Sequence, residues 1–248
     1  MLLRRFASRA KPLPLGKIMT DPNFPENRWW TEQNYVPTHT ARFGLTLEFV
    51  KQYYREGHSV GSIGASYFDR TASAFFGARN FWRVVPNPEF IANSGESGDE
   101  AIQTVYYDLT KESGPAPRQF DLLLMLEVLE HILERDDVVL KRVKSLILPG
   151  GYFCLSVPNL VRHVNRLKVL IGVNPLQTKE MIVTKGMGGF GHLREYSIAE
   201  VLRLLKPEYS VVKLVGINPY GTVRQRRVLD LLPKSLASTI LVISKPRM

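Results

Sequence analysis

Short apolar runs alternate with helical patterns along most of this chain. Apolar residues at 43, 45, 47, 49, 50, 53 and 54 recur at helical spacing until Gly57, which predicts a first helix over Phe43–Glu56. From His58 the pattern shortens to a strand over about 58–63, a turn at Gly64, a helix over Asp69–Phe76, and a strand over Phe81–Val85 closed by Pro86-Asn87-Pro88. Thr104–Tyr107 reads as a third strand, closed by Asp108. Asp121–Leu126 is an apolar run with no alternation, the mark of a strand buried on both faces. A helix over Asp136–Ile147, stopped by Pro149-Gly150-Gly151, leads to a second such strand, Tyr152–Val157. Ser197 and Glu200 have the spacing of a capping box and open a helix that runs to Leu205. Val211–Ile217 and Thr239–Ser244 are the last two strands. This alternation predicts an α/β fold with a parallel sheet covered by helices on both faces. In such sheets ligands bind beyond the carboxyl ends of the strands, so chemistry is expected there.

The composition narrows the class of protein. With 248 residues, 44% hydrophobic and 23% charged, the chain can bury a large core, and disorder is excluded for most of it. Its longest apolar stretches, such as Leu122–Leu126, fall far short of the ~18 residues of a membrane-spanning helix. Cys154 is the only cysteine, so neither an intrachain disulfide nor a cysteine-based zinc cluster can form. A reducing, cytoplasmic setting fits.

The net charge is +10, and half of it sits on Arg4, Arg5, Arg9, Lys11 and Lys17, ahead of the first acid, Asp21. Pro12 and Pro14 interrupt the apolar residues of this segment, which therefore lacks the core of a secretory signal. Residues 1–19 are compatible with a flexible tail, an organellar targeting peptide or a contact with an anionic membrane. Residues 20–57 read as an arm, rich in Phe24, Trp29, Trp30 and Tyr35, and a helix that packs on the core. Residues 58–248 form the main domain.

The most specific stretch is Phe120-Asp121-Leu122-Leu123-Leu124-Met125-Leu126-Glu127-Val128-Leu129-Glu130-His131, followed by Leu148-Pro149-Gly150-Gly151 and later by Gly191-His192-Leu193-Arg194-Glu195-Tyr196-Ser197. In order and spacing these segments resemble the class I S-adenosylmethionine-dependent methyltransferases, in the subgroup that acts on small molecules and lipids, over about residues 42–245. The resemblance implies a Rossmann-like three-layer sandwich with a mostly parallel seven-stranded sheet whose last strand is antiparallel. It also implies S-adenosyl-L-methionine as cofactor. By the same likeness Asp108 contacts adenine, with Leu109 beside it, and Leu126 and Glu127 line the cofactor at the end of the fourth strand. Arg42 is similar to an arginine that contacts the cofactor carboxylate in related quinone-pathway enzymes. Glu130 and His131 are expected to cap and pack the next helix.

The first-strand turn departs from the family pattern of an acid followed by GxGxG. Ser62 stands at the acid, Gly64 keeps the first glycine, and Ser66 and Phe68 replace the other two. Asn87 stands where a ribose-binding Asp or Glu is usual, with Glu89 as a neighbouring substitute. Asn can bond a hydroxyl without charge assistance. His192 is the general-base candidate for a hydroxyl acceptor, because a neutral imidazole takes a proton at neutral pH. A structural histidine tied to Arg194 or Glu195 is the alternative.

Residues 159–191 form an insertion long enough for a lid. Within it Val161–Ile171 interleaves Arg162, His163, Arg166 and Lys168 with apolar residues, and Gly186, Gly188, Gly189 and Gly191 follow. With Arg224, Arg226 and Arg227, these patches fit an anionic acceptor or peripheral membrane contact. The leading expectation is methylation of a small-molecule, glycan or lipid-linked acceptor, at oxygen. A degenerate, non-catalytic binding or scaffold protein is the alternative that Ser62, Ser66 and Asn87 motivate. An RNA methyltransferase is suggested by charge alone; no aromatic–basic RNA-binding module is visible, so no nucleic-acid partner is expected. A nicotinamide-dependent dehydrogenase is disfavoured because GxGxxG is absent.

Overall fold

The computed structural model describes residues 35–66, 68–93, 102–111, 114–177, 192–219, 229–231 and 233–247. The basic tail, the Phe24–Trp30 arm, the glycine-rich half of the insertion and the Arg224–Arg227 cluster lie outside the described residues. Helices α1 (Tyr35–Val50), α2 (Phe68–Phe76), α3 (Pro88–Asn93), α4 (Asp136–Ser145), α5 (His163–Leu170) and α6 (Ile198–Leu205) accompany seven strands. These are β1 (Val60–Ile63), β2 (Phe81–Val85), β3 (Gln103–Tyr106), β4 (Phe120–Leu126), β5 (Ile147–Pro158), β6 (Tyr209–Ile217) and β7 (Thr239–Pro246). They form one sheet in the order β3-β2-β1-β4-β5-β7-β6. Pairing is parallel from β3 to β5, and β7 runs antiparallel to both β5 and β6. The expected mostly parallel seven-stranded sheet with an antiparallel last strand is what the chain forms.

The unbroken apolar run in β4 has its reason in the two cores. Leu123 and Met125 join the cluster under α4 and α6, with Val139, Val143, Val201 and Leu205. Leu122 and Leu124 join the opposite cluster under α1 and α2, with Leu47, Val50, Phe68 and Ala72. Alternate side chains of one strand thus serve two buried faces. Asp121 ties the start of β4 to the start of β1, its Oδ2 accepting from the Ser59 amide at 2.9 Å and the Ser59 hydroxyl at 2.8 Å. The capping box of α6 is present: Ser197 Oγ accepts from the Glu200 amide at 3.3 Å, and Glu200 Oε2 from the Ser197 amide at 2.8 Å.

Most element ends lie within about two residues of the sequence expectation, and two elements depart further. Helix α1 begins at Tyr35, not Phe43, and ends at Val50, followed by a short 3-10 turn over Lys51–Tyr53. Pro37 falls in its first turn, where helical amides have no partner to lose. The Pro-Gly-Gly segment was expected to precede the fifth strand, yet β5 already begins at Ile147, paired with Phe120. Gly150 at φ +84° lets the strand pass through an irregular register before Tyr152 pairs with Leu122.

Strand order reverses between β1 and β4. From β1 the chain steps outward to β2 and β3, then returns to the other side with β4 and β5. The crevice beyond the carboxyl ends of β1 and β4 is therefore the place for a ligand.

Candidate active site

Glu127 leaves β4 at φ +56°, the only non-glycine residue in the left-handed region among the described residues. Holding a residue with a Cβ in this conformation costs about 1–3 kcal/mol and needs surroundings that impose it. Here β5 imposes it. The Glu127 amide donates to the Ser156 carbonyl at 3.0 Å and to the Ser156 hydroxyl at 3.1 Å, and that hydroxyl donates to Glu127 Oε1 at 2.8 Å. The other oxygen, Oε2, accepts from Arg42 Nη1 at 3.1 Å. Helix α1 brings Arg42 there because Phe43 and Leu47 anchor it to the core. Sequence reasoning placed Arg42 and Glu127 at the cofactor separately; the structure joins them as one ion pair and adds Ser156. The signal for Ser156 was a polar residue inside a strand buried on both faces.

Beyond β1, Gly64 at φ +95° donates its amide to the Val84 carbonyl at 2.9 Å, so the chain turns sharply over the end of the sheet. A Cβ at Gly64 would lie 3.2 Å from Val128, on the segment after Glu127. Ser62 is buried and turned toward Asp69, which Arg83 Nε meets at 2.9 Å and the Ser66 amide at 3.1 Å. Burial pushes the Asp69 carboxyl up to about 6, against the lowering effect of Arg83 and the Ser66 amide. Asp69 thus carries the acid missing at Ser62, seven residues on, and clamps the turn from within. Neither Asp69 nor Arg83 was expected at the site. The available signal was a charge, Arg83, in the middle of a buried strand, which demands a partner.

Asn87 Oδ1 accepts from the Phe90 amide at 2.8 Å and so caps the short helix α3. Glu89 is exposed in that helix. Asp108 Oδ1 accepts from the Thr110 amide at 2.9 Å and the Thr110 hydroxyl at 2.7 Å, and Oδ2 lies 3.2 Å from Lys111 Nζ. Burial raises the Asp108 carboxyl, but the Thr110 and Lys111 contacts outweigh it and hold the group below its ordinary value. Leu109 is buried, and Arg142 Nη1 donates to its carbonyl at 2.7 Å, which fixes the loop beside Asp108. Leu126 is half-buried at the end of β4.

Glu130 and His131 do not cap a helix. They sit in a 3-10 turn over Leu129–His131, and α4 begins only at Asp136. Instead the Glu130 carbonyl accepts the Leu193 amide at 2.9 Å, which brings His192 beside them. The His131 and His192 rings meet edge-on with centroids 5.0 Å apart. His192 Nδ1 lies 3.3 Å from Glu195 Oε1, and Asn165 Nδ2 donates to Glu195 Oε2 at 3.4 Å. Burial raises the Glu195 carboxyl, yet the His192 contact and the Arg162 charge hold it below its ordinary value.

No family model and no curated protein matches this chain. Solved structures do. An S-adenosylmethionine-dependent methyltransferase from Mesorhizobium loti is 17% identical with a TM-score of 0.54, the match covering 81% of this chain and 96% of that one. The N-methyltransferase NodS from Bradyrhizobium japonicum WM9, in complex with S-adenosyl-L-homocysteine, is 13% identical with a TM-score of 0.50, over 95% and 97%. A methyltransferase of the same cofactor class from Methanosarcina mazei is 14% identical with a TM-score of 0.51, over 81% and 97%. The fold is therefore the Rossmann-like fold of the class I S-adenosylmethionine-dependent methyltransferases.

Proposed function

We propose that the chain is an S-adenosylmethionine-dependent methyltransferase that acts on a small-molecule, glycan or lipid-linked acceptor, at oxygen. The observation that carries this is the Arg42–Glu127 pair at the strand-order reversal: a guanidinium and a carboxylate side by side match the carboxylate and ammonium of a zwitterionic amino-acid group. The left-handed Gly64 turn opposite them allows close backbone approach, as a cofactor cradle requires. When bound, the cofactor supplies an already activated methyl group, so the protein's work is orientation and desolvation.

In this reading Glu127 and Arg42 hold the amino-acid end, and Ser62, Gly64 and Asn87 shape the floor. Asp108 and Leu109, with Leu126, receive the adenosine end. His192 takes up the acceptor's proton. Its Nδ1 is turned to Glu195, which leaves Nε2 for that task.

Calorimetric titration of the full chain with S-adenosylhomocysteine is expected to show one site per chain, weakened about tenfold or more in Asp108→Ala. No heat with folded protein would favour the second reading, a binding or scaffold protein on a methyltransferase fold. That reading has its own support: Ser62 is tied to Asp69, and Asn87 is spent on a helix cap.

Helix α5 supports peripheral membrane contact. Leu170 and Ile171 at its end are 80% and 75% exposed, next to Lys168 and one turn from Arg166. Leu170→Glu with Ile171→Glu is expected to abolish co-sedimentation with anionic vesicles, and unchanged sedimentation would remove α5 from the acceptor's route.

A further inference from the structure

Glu130 has no exposed surface, and neither carboxylate oxygen has a hydrogen-bond partner among the described residues. A buried carboxylate left in that state costs more than a lost hydrogen bond, so the site needs a cation or proton from elsewhere. What surrounds it is a donor set. His131 Nε2 is 3.9 Å from Glu130 Oε1, and the ligand atoms of Glu130, His131 and His192 all lie within 4.8 Å of one another. The two imidazoles are half-buried, so the cluster is closed on the carboxylate side and reachable on the other. Behind His192 stands Glu195, itself held by Asn165. A carboxylate on the far nitrogen of an imidazole fixes its tautomer and raises its basicity, the usual support for a ligand histidine.

We infer that Glu130, His131 and His192 bind a divalent first-row transition ion, with Glu195 as the positioning residue for His192. Two nitrogens and one carboxylate oxygen suit zinc, manganese, iron or cobalt better than calcium or magnesium, whose sites are built from oxygens. Ligand atoms at ~2.1 Å from one ion are no more than ~4.2 Å apart, so binding draws the set together by under an ångström. The Glu130–His131 pair is already within that limit. Three protein ligands leave coordination positions open.

The ion's use rests on the methyltransferase reading. Glu130 follows Glu127 by three residues in the segment after β4 and lies within electrostatic reach of it and of Arg42, so the ion site lies beyond the same end of β4 as the proposed cofactor end. A hydroxyl bound to a divalent ion becomes a stronger acid. The acceptor class this selects is an oxygen ligand, a phenol or alcohol able to coordinate the ion. His192 then holds the ion and does not take the proton. The coordinated hydroxyl releases its proton to water on the open side, its oxygen bonds the methyl carbon as the S–CH3 bond breaks, and S-adenosylhomocysteine leaves as the neutral thioether.

The test uses tag-free full-length protein stripped with EDTA. Titration with Zn2+ and Mn2+, and cobalt absorption with Co2+, are expected to give one ion per chain. Glu130→Gln, a near-isostere, and His192→Ala should each weaken binding about tenfold or more, and Glu195→Gln should weaken it less. No binding by folded wild-type protein, or unchanged binding in the Glu130→Gln, His192→Ala double variant, overturns the inference. S-adenosylhomocysteine titrated in EDTA separates the two ideas. Cofactor binding without any ion site leaves the methyltransferase reading and ends this one, and an ion site without cofactor binding does the reverse.

Discussion

Asp69→Ala is expected to cost about 3–5 kcal/mol and to lower the melting temperature by roughly 10 °C. Asp69 and Arg83 are both buried, and the variant takes away the carboxylate that Arg83 Nε meets at 2.9 Å in the interior. It also strips the Ser66 amide of its partner. Asp69→Asn keeps a carbonyl acceptor and should lose less. The pH profile distinguishes the charge from the contacts. With the folded carboxyl raised to about 6, the native state holds its proton where the unfolded chain has released it. This group's contribution is fully present below the unfolded value near 3.8 and is lost as pH rises through about 6. Thermal denaturation from pH 4 to 7 should show that decline in the wild type relative to Asp69→Asn, in which nothing titrates at this position. A difference that does not change with pH would assign Asp69 a purely geometric role.

Glu127→Gly is expected to weaken S-adenosylhomocysteine binding at least about tenfold while leaving the melting temperature unchanged or higher. Glycine removes the strain of φ +56°, a gain of about 1 kcal/mol. The substitution also removes a negative charge that, after burial itself, pushes the Glu130 carboxyl above its ordinary range. Against this stand the lost contacts to Ser156 and Arg42. A residue retained for stability alone would show the opposite result, a clear loss in melting temperature with ligand affinity kept. Calorimetry and denaturation on one preparation decide between the two.

Much of the fold was legible because β4 and β5 carry apolar runs that only a doubly covered strand can use, and because Ser197 and Glu200 mark a helix start without tertiary help. Position Tyr35 was not, since the aromatic, proline-rich approach to α1 has no periodicity that marks a helix start. Ile147 was misread because Pro-Gly-Gly is a local stop signal that ladder pairing with Phe120 overrides. At the candidate site, motif resemblance singles out Arg42, Glu127 and Asp108 but not the side chains they contact. Ser156, Asp69 and Arg83 come from segments with no motif, and only packing brings them together. Glu130 followed the Glu127 motif so closely that a helix cap was the natural expectation. The helix start at Asp136 was itself legible; what was not is the separate 3-10 turn over Leu129–His131, which sets Glu130 and His131 beside His192.

The Ser59–Asp121 contact has a kinetic meaning as well. It closes a loop of 62 residues, and the two halves of the proposed cofactor site, Gly64 on one side and Glu127 on the other, face each other only once β1 and β4 are joined across it. Non-local parallel pairing of this kind forms after its loop-closure entropy has been overcome, so the crevice is a product of the completed sheet and not of any local segment. A fragment ending before β4 has half a cradle and no site. A ligand that bridges the two halves acts on the finished chain, slowing its unfolding without hastening its folding.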